Sequence, residues 1–195
     1  MKFDNTFELS LPVERAWALL LDVPRITPCM PGAELVEVTG ERSYKGKVAV
    51  RLGPVALTFA GRAEIEQIDG AGHKARIKAQ GVDAKGRGGA SAIVDFELQP
   101  SPRGSKVVVS TDLTLSGSVA QYGRGSGIIR EVAAQLTREF AAALEAQLAA
   151  DGAAADGSVQ SARAAVAARP ISGFSLFFRA MIAALRRAFG FGPRT

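Results

Sequence analysis

The chain has 195 residues, 47% of them hydrophobic, with one cysteine and one histidine. That length gives room for one ordinary domain and an appendage, and the single Cys and His exclude an internal disulfide and a Cys/His metal cluster. The formal net charge of +5 is unevenly placed: residues 149–195 carry six Arg against two Asp, and the remainder is close to neutral. So the basic excess favours an anionic membrane surface, at roughly 1 kcal/mol per basic residue near it, over nucleic-acid binding by the domain.

The first segment alternates with period two: Phe3, Phe7 and Leu9 point one way, Lys2, Asp4 and Glu8 the other. This predicts a strand. PVERAWALLLD, residues 12–22, reads as a short helix with Ser10 near its cap, Pro12 at its start and Glu14 in its first turn. A Pro-rich connection, VPRITPCMPGAE, follows.

Six further strands are predicted. Val36 and Val38 mark the first, which turns near Gly40. In the next, Tyr44, Val48, Val50 and Leu52 alternate with Lys45, Lys47 and Arg51; Gly53-Pro54 is a turn signal. Then Val55, Leu57, Phe59, Ala63 and Ile65 alternate with Thr58, Arg62, Glu64 and Glu66. Ala75, Ile77 and Ala79 alternate with Lys74, Arg76, Lys78 and Gln80. Ala90, Ala92, Val94, Phe96 and Leu98 alternate with Ser91, Asp95, Glu97 and Gln99. Val107, Val109, Leu113 and Leu115 alternate with Ser110, Asp112, Thr114 and Ser116. One apolar and one polar face per strand imply an antiparallel sheet with one side in water.

A helix can cover the apolar side. After Gly127, residues Ile128, Val132, Leu136, Phe140, Leu144 and Leu148 recur every four positions, with Ile129, Ala133 and Ala143 beside them. The predicted fold is therefore α+β: a curved antiparallel sheet of about seven strands around a long C-terminal helix, the helix-grip (START-like) arrangement, plus an amphipathic tail helix. Residues 1–150 form the domain, 151–170 a flexible Ala/Gly/Ser linker, and 171–195 the tail.

In the tail, Phe174, Phe177, Phe178, Met181, Ile182, Leu185 and Phe189 share one helical face, with Arg179, Arg186 and Arg187 opposite. Bulky apolar groups facing arginines suit the lipid–water interface. The N-terminal sequence has no apolar core of a secretory signal, and no segment has about 18 uncharged apolar residues. The expectation is a peripheral protein on the cytoplasmic face of the inner membrane.

Residues with reactive side chains are few. His73 sits in the Gly-flanked turn GAGHKAR and reads as a solvated turn residue. Cys29 reads as a small buried hydrophobe, with a cavity-mouth position as the functional alternative. Neither suggests a catalytic pair, and no catalytic or metal residue is assigned. A curved sheet and a helix rarely close completely, which leaves an apolar cavity. By strand parity and helix spacing its lining is expected to include Tyr44, Val48, Phe59, Val94, Phe96, Tyr122, Ile129, Leu136 and Phe140.

Pro12-Val13-Glu14 with Trp17, Leu20 and Asp22, then Cys29-Met30-Pro31-Gly32-Ala33, Gly40, Tyr44, Gly53, the Phe59–Gly61 pair and the Gly117–Gly125 approach to the last helix resemble the CoxG family of carbon monoxide dehydrogenase. Cys29-Met30-Pro31-Gly32 is the most specific piece, and the similarity spans residues 1–148. The resemblance implies a helix-grip fold of the START-type (SRPBCC) superfamily. It also implies a non-enzymatic role accessory to a molybdenum hydroxylase of the aerobic CO dehydrogenase type, recruiting that enzyme to the membrane. A START-type cavity implies a lipophilic small molecule. Electrons from such an oxidation must reach the respiratory chain, so the expected guest is a quinone, with no metal. The alternative is a START-like cyclase or hydrolase acting on a hydrophobic molecule.

Overall fold

The computed structural model describes residues 1–52, 55–123 and 126–164. One strand, a group of short helices and six consecutive strands lead to one long helix. They are β1 (Lys2–Leu9), α1 (Val13–Leu21), α2 (Val23–Ile26), a 3-10 turn (Thr27–Cys29), β2 (Ala33–Gly40), β3 (Ser43–Leu52) and β4 (Val55–Asp69). After them come β5 (Lys74–Asp83), β6 (Gly88–Ser101), β7 (Gly104–Gly117), α3 (Ala120–Gly123) and α4 (Ser126–Ala164). The strands form one antiparallel sheet in the order β1-β7-β6-β5-β4-β3-β2. This is a meander from β2 to β7, with β1 added beyond β7.

The alternation in sequence sets the two faces. Tyr44, Ile65, Ala75, Phe96, Leu98 and Val107 belong to one buried core with Leu9, Ala16, Leu19, Leu20, Ile26, Cys29 and Leu144. Their strand neighbours Lys45, Lys74, Lys106 and Gln99 lie on the other, solvated face. Bulges between Leu35 and Glu37, Val38 and Gly40, and Ile65 and Gln67 shift register locally and bend the strands.

Some local expectations change. Ser10 does not cap α1: its N–H and Oγ–H instead donate to the two carboxylate oxygens of Glu145, each at 2.6 Å. His73 is not a solvated turn residue. It takes positive φ (48°) at the β4–β5 turn, and its ring stands edge-on to Trp17 at 5.7 Å. Ile128 is 59% exposed while Ile129 is buried, so the covering stripe of α4 starts one position later.

The compact unit ends at Ala150, and residues from Asp151 onward belong to a second unit. Within that second unit α4 continues to Ala164, so residues 151–164 of the expected linker are helical. Alanine has the highest helix propensity, and 153–155, 162, 164 and their neighbours supply it. The rest of the linker and the whole tail, with Phe174, Phe177, Phe178, Arg179, Met181, Ile182, Leu185, Arg186, Arg187 and Phe189, lie outside the described residues. Among the described residues no helix is long and apolar enough to cross a membrane.

Candidate functional site

The later part of α4 is pinned down. Leu144 is fully buried in the core, Phe140 meets Phe7 edge-to-face at 5.8 Å, and Cys29 Sγ–H donates to Gln147 Oε1 at 2.8 Å. Burial pushes the Cys29 thiol pKa up. These contacts fix α4 at the Leu9–Leu98–Val107 end of the sheet. The chain, however, leaves β7 at Gly117, the opposite end. The first turns of α4 therefore pass over the middle of the sheet on their way to the anchored end.

The sheet surface beneath that path is unusual. Register places Ala63, Ala79 and Ala92 side by side on β4, β5 and β6, facing the core side. The next core-facing positions are Gly61, Gly81 and Ala90. Six adjacent inward positions thus carry a hydrogen or a methyl group. All six are only partly buried, as are Phe59, Val94, Leu113 and Leu115 around them. A close-packed interior would put large side chains here. The small residues make the core-side surface of the sheet shallow here.

Larger buried residues flank this stretch at both ends. Tyr44 and Phe96 bound it on the core side, Phe96 lying 5.7 Å from Trp17. Toward Gly117, Leu57, Val119 and Ile129 are buried yet lie outside the main core. The rim there is held by one ion pair. Arg87 Nε and Nη2 donate to the two oxygens of Asp83 at 2.8 and 2.9 Å. The Asp83 carboxylate also accepts from the backbone N–H of Thr58, Lys85 and Arg87. The guanidinium of Arg87 is the main cause that holds Asp83 well below the usual carboxylate range. Arg87 in turn donates to Ala56 O (2.9 Å), while its carbonyl accepts from Ser118 Oγ (2.7 Å) and Val119 N (3.2 Å). The β5–β6 turn is thereby tied to β4 and to the approach to α3.

The nine lining residues expected from sequence divide accordingly. Val48 (39% exposed) and the partly buried Phe59, Val94, Tyr122 and Leu136 are core-facing or near-rim residues not fully packed. Tyr44, Phe96 and Phe140 instead sit in the packed core or against it, and Ile129 is buried at the far end. Parity gives a side chain's face but not its depth, which is why the nine differ in how deeply they are packed. The alanines and glycines of the floor are not among the nine. Their signal is nonetheless present in the sequence: Gly or Ala at inward parity on three successive strands. Among the described residues no group of His, Cys, Asp and Glu is arranged to hold a metal ion.

A bent antiparallel sheet with a long terminal helix anchored at one end of it defines a helix-grip protein. The sequence pattern of the carbon monoxide dehydrogenase CoxG family matches residues 6–149, and the chain belongs to that family. No curated protein matches. Among solved structures, a conserved protein from Geobacillus kaustophilus is similar, with TM-score 0.66 and 22% identity over 76% of this chain and 95% of that one. A Thermus thermophilus protein gives 0.54 and 14% over 75% and 99%. The ZhuI aromatase/cyclase from Streptomyces sp. R1128 gives 0.53 and 13% over 75% and 92%. At these identities the likeness is one of fold.

Proposed function

We propose that this protein carries a respiratory quinone in the space between sheet and helix and brings a molybdenum hydroxylase of the aerobic CO dehydrogenase type to the cytoplasmic face of the membrane. It does so without catalysing the oxidation. The observation that carries this reading is the floor of Gly61, Ala63, Ala79, Gly81, Ala90 and Ala92 beneath the path of α4, in a chain of the CoxG family. A shallow apolar floor of this kind suits a lipophilic molecule, and a flat ring lies well on a methyl-and-hydrogen surface. The core-facing carboxylate of Asp83 is saturated by donors and serves the rim instead of chemistry. The Phe/Arg tail supplies the membrane contact by its composition.

A deletion strain tests the reading. Dye-linked oxidation in extracts should remain, because the partner enzyme is intact. Substrate-dependent oxygen uptake by whole cells should fall, because electrons no longer reach the membrane pool. Loss of both activities would indicate a maturation role, and loss of neither would remove recruitment. Lipid extraction and mass spectrometry of gently purified protein should return a quinone. A different lipophile would keep the carrier and change its cargo.

A further inference from the structure

The sheet carries a concavity on the face turned away from the core. It has a volume of about 820 Å³ and is lined by Lys45, Lys47, Arg62, Gln80, Val82 and Ser91 among others. Register shows how it is made. Lys45, Arg62, Gln80, Ser91 and Thr114 form one continuous cross-strand row over β3, β4, β5, β6 and β7. Lys47, Ala60, Val82, Gly89 and Ser116 form a second, parallel row. Between them run Gly46, Gly61, Gly81 and Ala90, whose side positions point to the other face. The groove is a trough across five strands, about 19 Å long at ~4.8 Å per strand. Its base is backbone.

Its charge is one-sided. The lining contains three cations and no carboxylate. Lys45 and Arg62 stand directly opposite each other, a pairing that is destabilising between like charges. Lys45 and Lys47 are partly compensated at the groove's end by Glu37 (2.9 Å) and Glu34 (3.7 Å) on the edge strand β2. Arg62, next to Lys45 on β4, meets no carboxylate among the described residues. Past it the row continues as neutral hydrogen-bonding groups, and Val82, 66% exposed, offers an apolar contact.

We infer that this groove binds an extended acidic segment of a partner protein, its carboxylates meeting Lys45, Lys47 and Arg62 and an apolar side chain resting on Val82. The length suits about six residues of extended chain at ~3.3 Å each. The chain's own tail has the wrong sign to fill it, with six Arg against two Asp. The inference extends the recruiting half of the proposed function and rests on it. It leaves the carrier half untouched, because groove and ligand space lie on opposite faces of the sheet.

The test is direct binding on the full isotope-labelled chain, with the hexapeptide acetyl-EVEVEV-amide as probe. Amide shifts should concentrate at positions 45–47, 60–62, 80–82 and 89–91. Affinity should fall with added salt, and about tenfold in Arg62→Glu. That variant places an acid opposite Lys45, so the fold is not weakened, and an unchanged melting temperature verifies it. Val82→Glu, which keeps every cation, should also weaken binding. The reversed-charge peptide acetyl-KVKVKV-amide should give no localised shifts. Equal binding by wild type and Arg62→Glu, or shifts confined to α4, would overturn the inference. So would groove shifts produced by phosphatidylglycerol vesicles but not by the peptide. None of these results alters the oxygen-uptake test, so the two proposals fail separately.

Discussion

Asp83 and Arg87 form a two-pronged ion pair, at 2.8 and 2.9 Å, with the aspartate side chain wholly shielded from solvent. Asp83→Asn should therefore lower the melting temperature more than Lys74→Met, which breaks an exposed pair with Glu97. The pH dependence has a fixed sign. The folded-state pKa of Asp83 is depressed, so its stabilisation is complete above the usual value of 3.8 and shrinks as pH falls toward the folded value. The stability gap between wild type and Asp83→Asn should be widest near neutrality and narrow in acid. A gap independent of pH, in denaturant titrations at pH 7 and pH 3, would contradict this.

Two leucines on one helix should behave differently. Leu144→Ala empties a fully buried position and should cost about 2–5 kcal/mol. Leu136→Ala, at a partly buried position over the ligand space, should cost roughly half of that or less. It should nonetheless reduce retention of a quinone analogue. Urea unfolding and analogue binding on both variants check the separation.

Filling the floor should displace the guest and not the fold. Ala92→Trp adds a large ring where Ala63, Ala79 and Ala92 leave room. The quinone recovered per mole of protein should drop sharply while the melting temperature changes little. Unfolding of the variant would instead mark the site as packed core, since overpacking a filled interior costs about 1–3 kcal/mol or more.

Truncation after Asp156 should leave the Met1–Ala150 unit folded and abolish sedimentation with anionic vesicles. Binding by the full chain should weaken in salt without vanishing, because apolar burial persists when charges are screened. Vesicle binding by the truncated chain equal to that of the full chain would contradict a tail anchor.

Much of this architecture is written in strand alternation. Each strand is legible because one face is buried and the other wet, so a period of two survives in the sequence. Contacts between distant segments are not legible. Ser10 reads as a helix cap until Glu145, 135 residues away, takes its hydroxyl. Cys29 reads as a small hydrophobe, which it is, but its partner Gln147 lies 118 residues on. Residues 151–164 read as a flexible linker whose Ala-rich part can turn helical, and alanine favours helix once α4 has been nucleated. Parity assigns Phe96 and Val94 to the same face. Their different depths depend on where the helix lands, which no single strand encodes. The outer groove needs register: Lys45 and Arg62 are 17 positions apart, and only pairing shows that they meet.

The row Gly46–Gly61–Gly81 is the partition between the proposed ligand site under the helix and the basic trough outside, and it is one backbone thick. A methyl group on Gly61 would collide with the Gln80 carbonyl oxygen, and one on Gly46 would lie 2.7 Å from that of Glu34. Neither glycine can gain a side chain without prising two strands apart. Any such separation would reshape both compartments together. At this wall, therefore, mutation cannot tune one chamber and spare the other. Independent adjustment has to come from the flanking rows, through Phe59 and Ala92 for the inner chamber and through Arg62 and Val82 for the outer one.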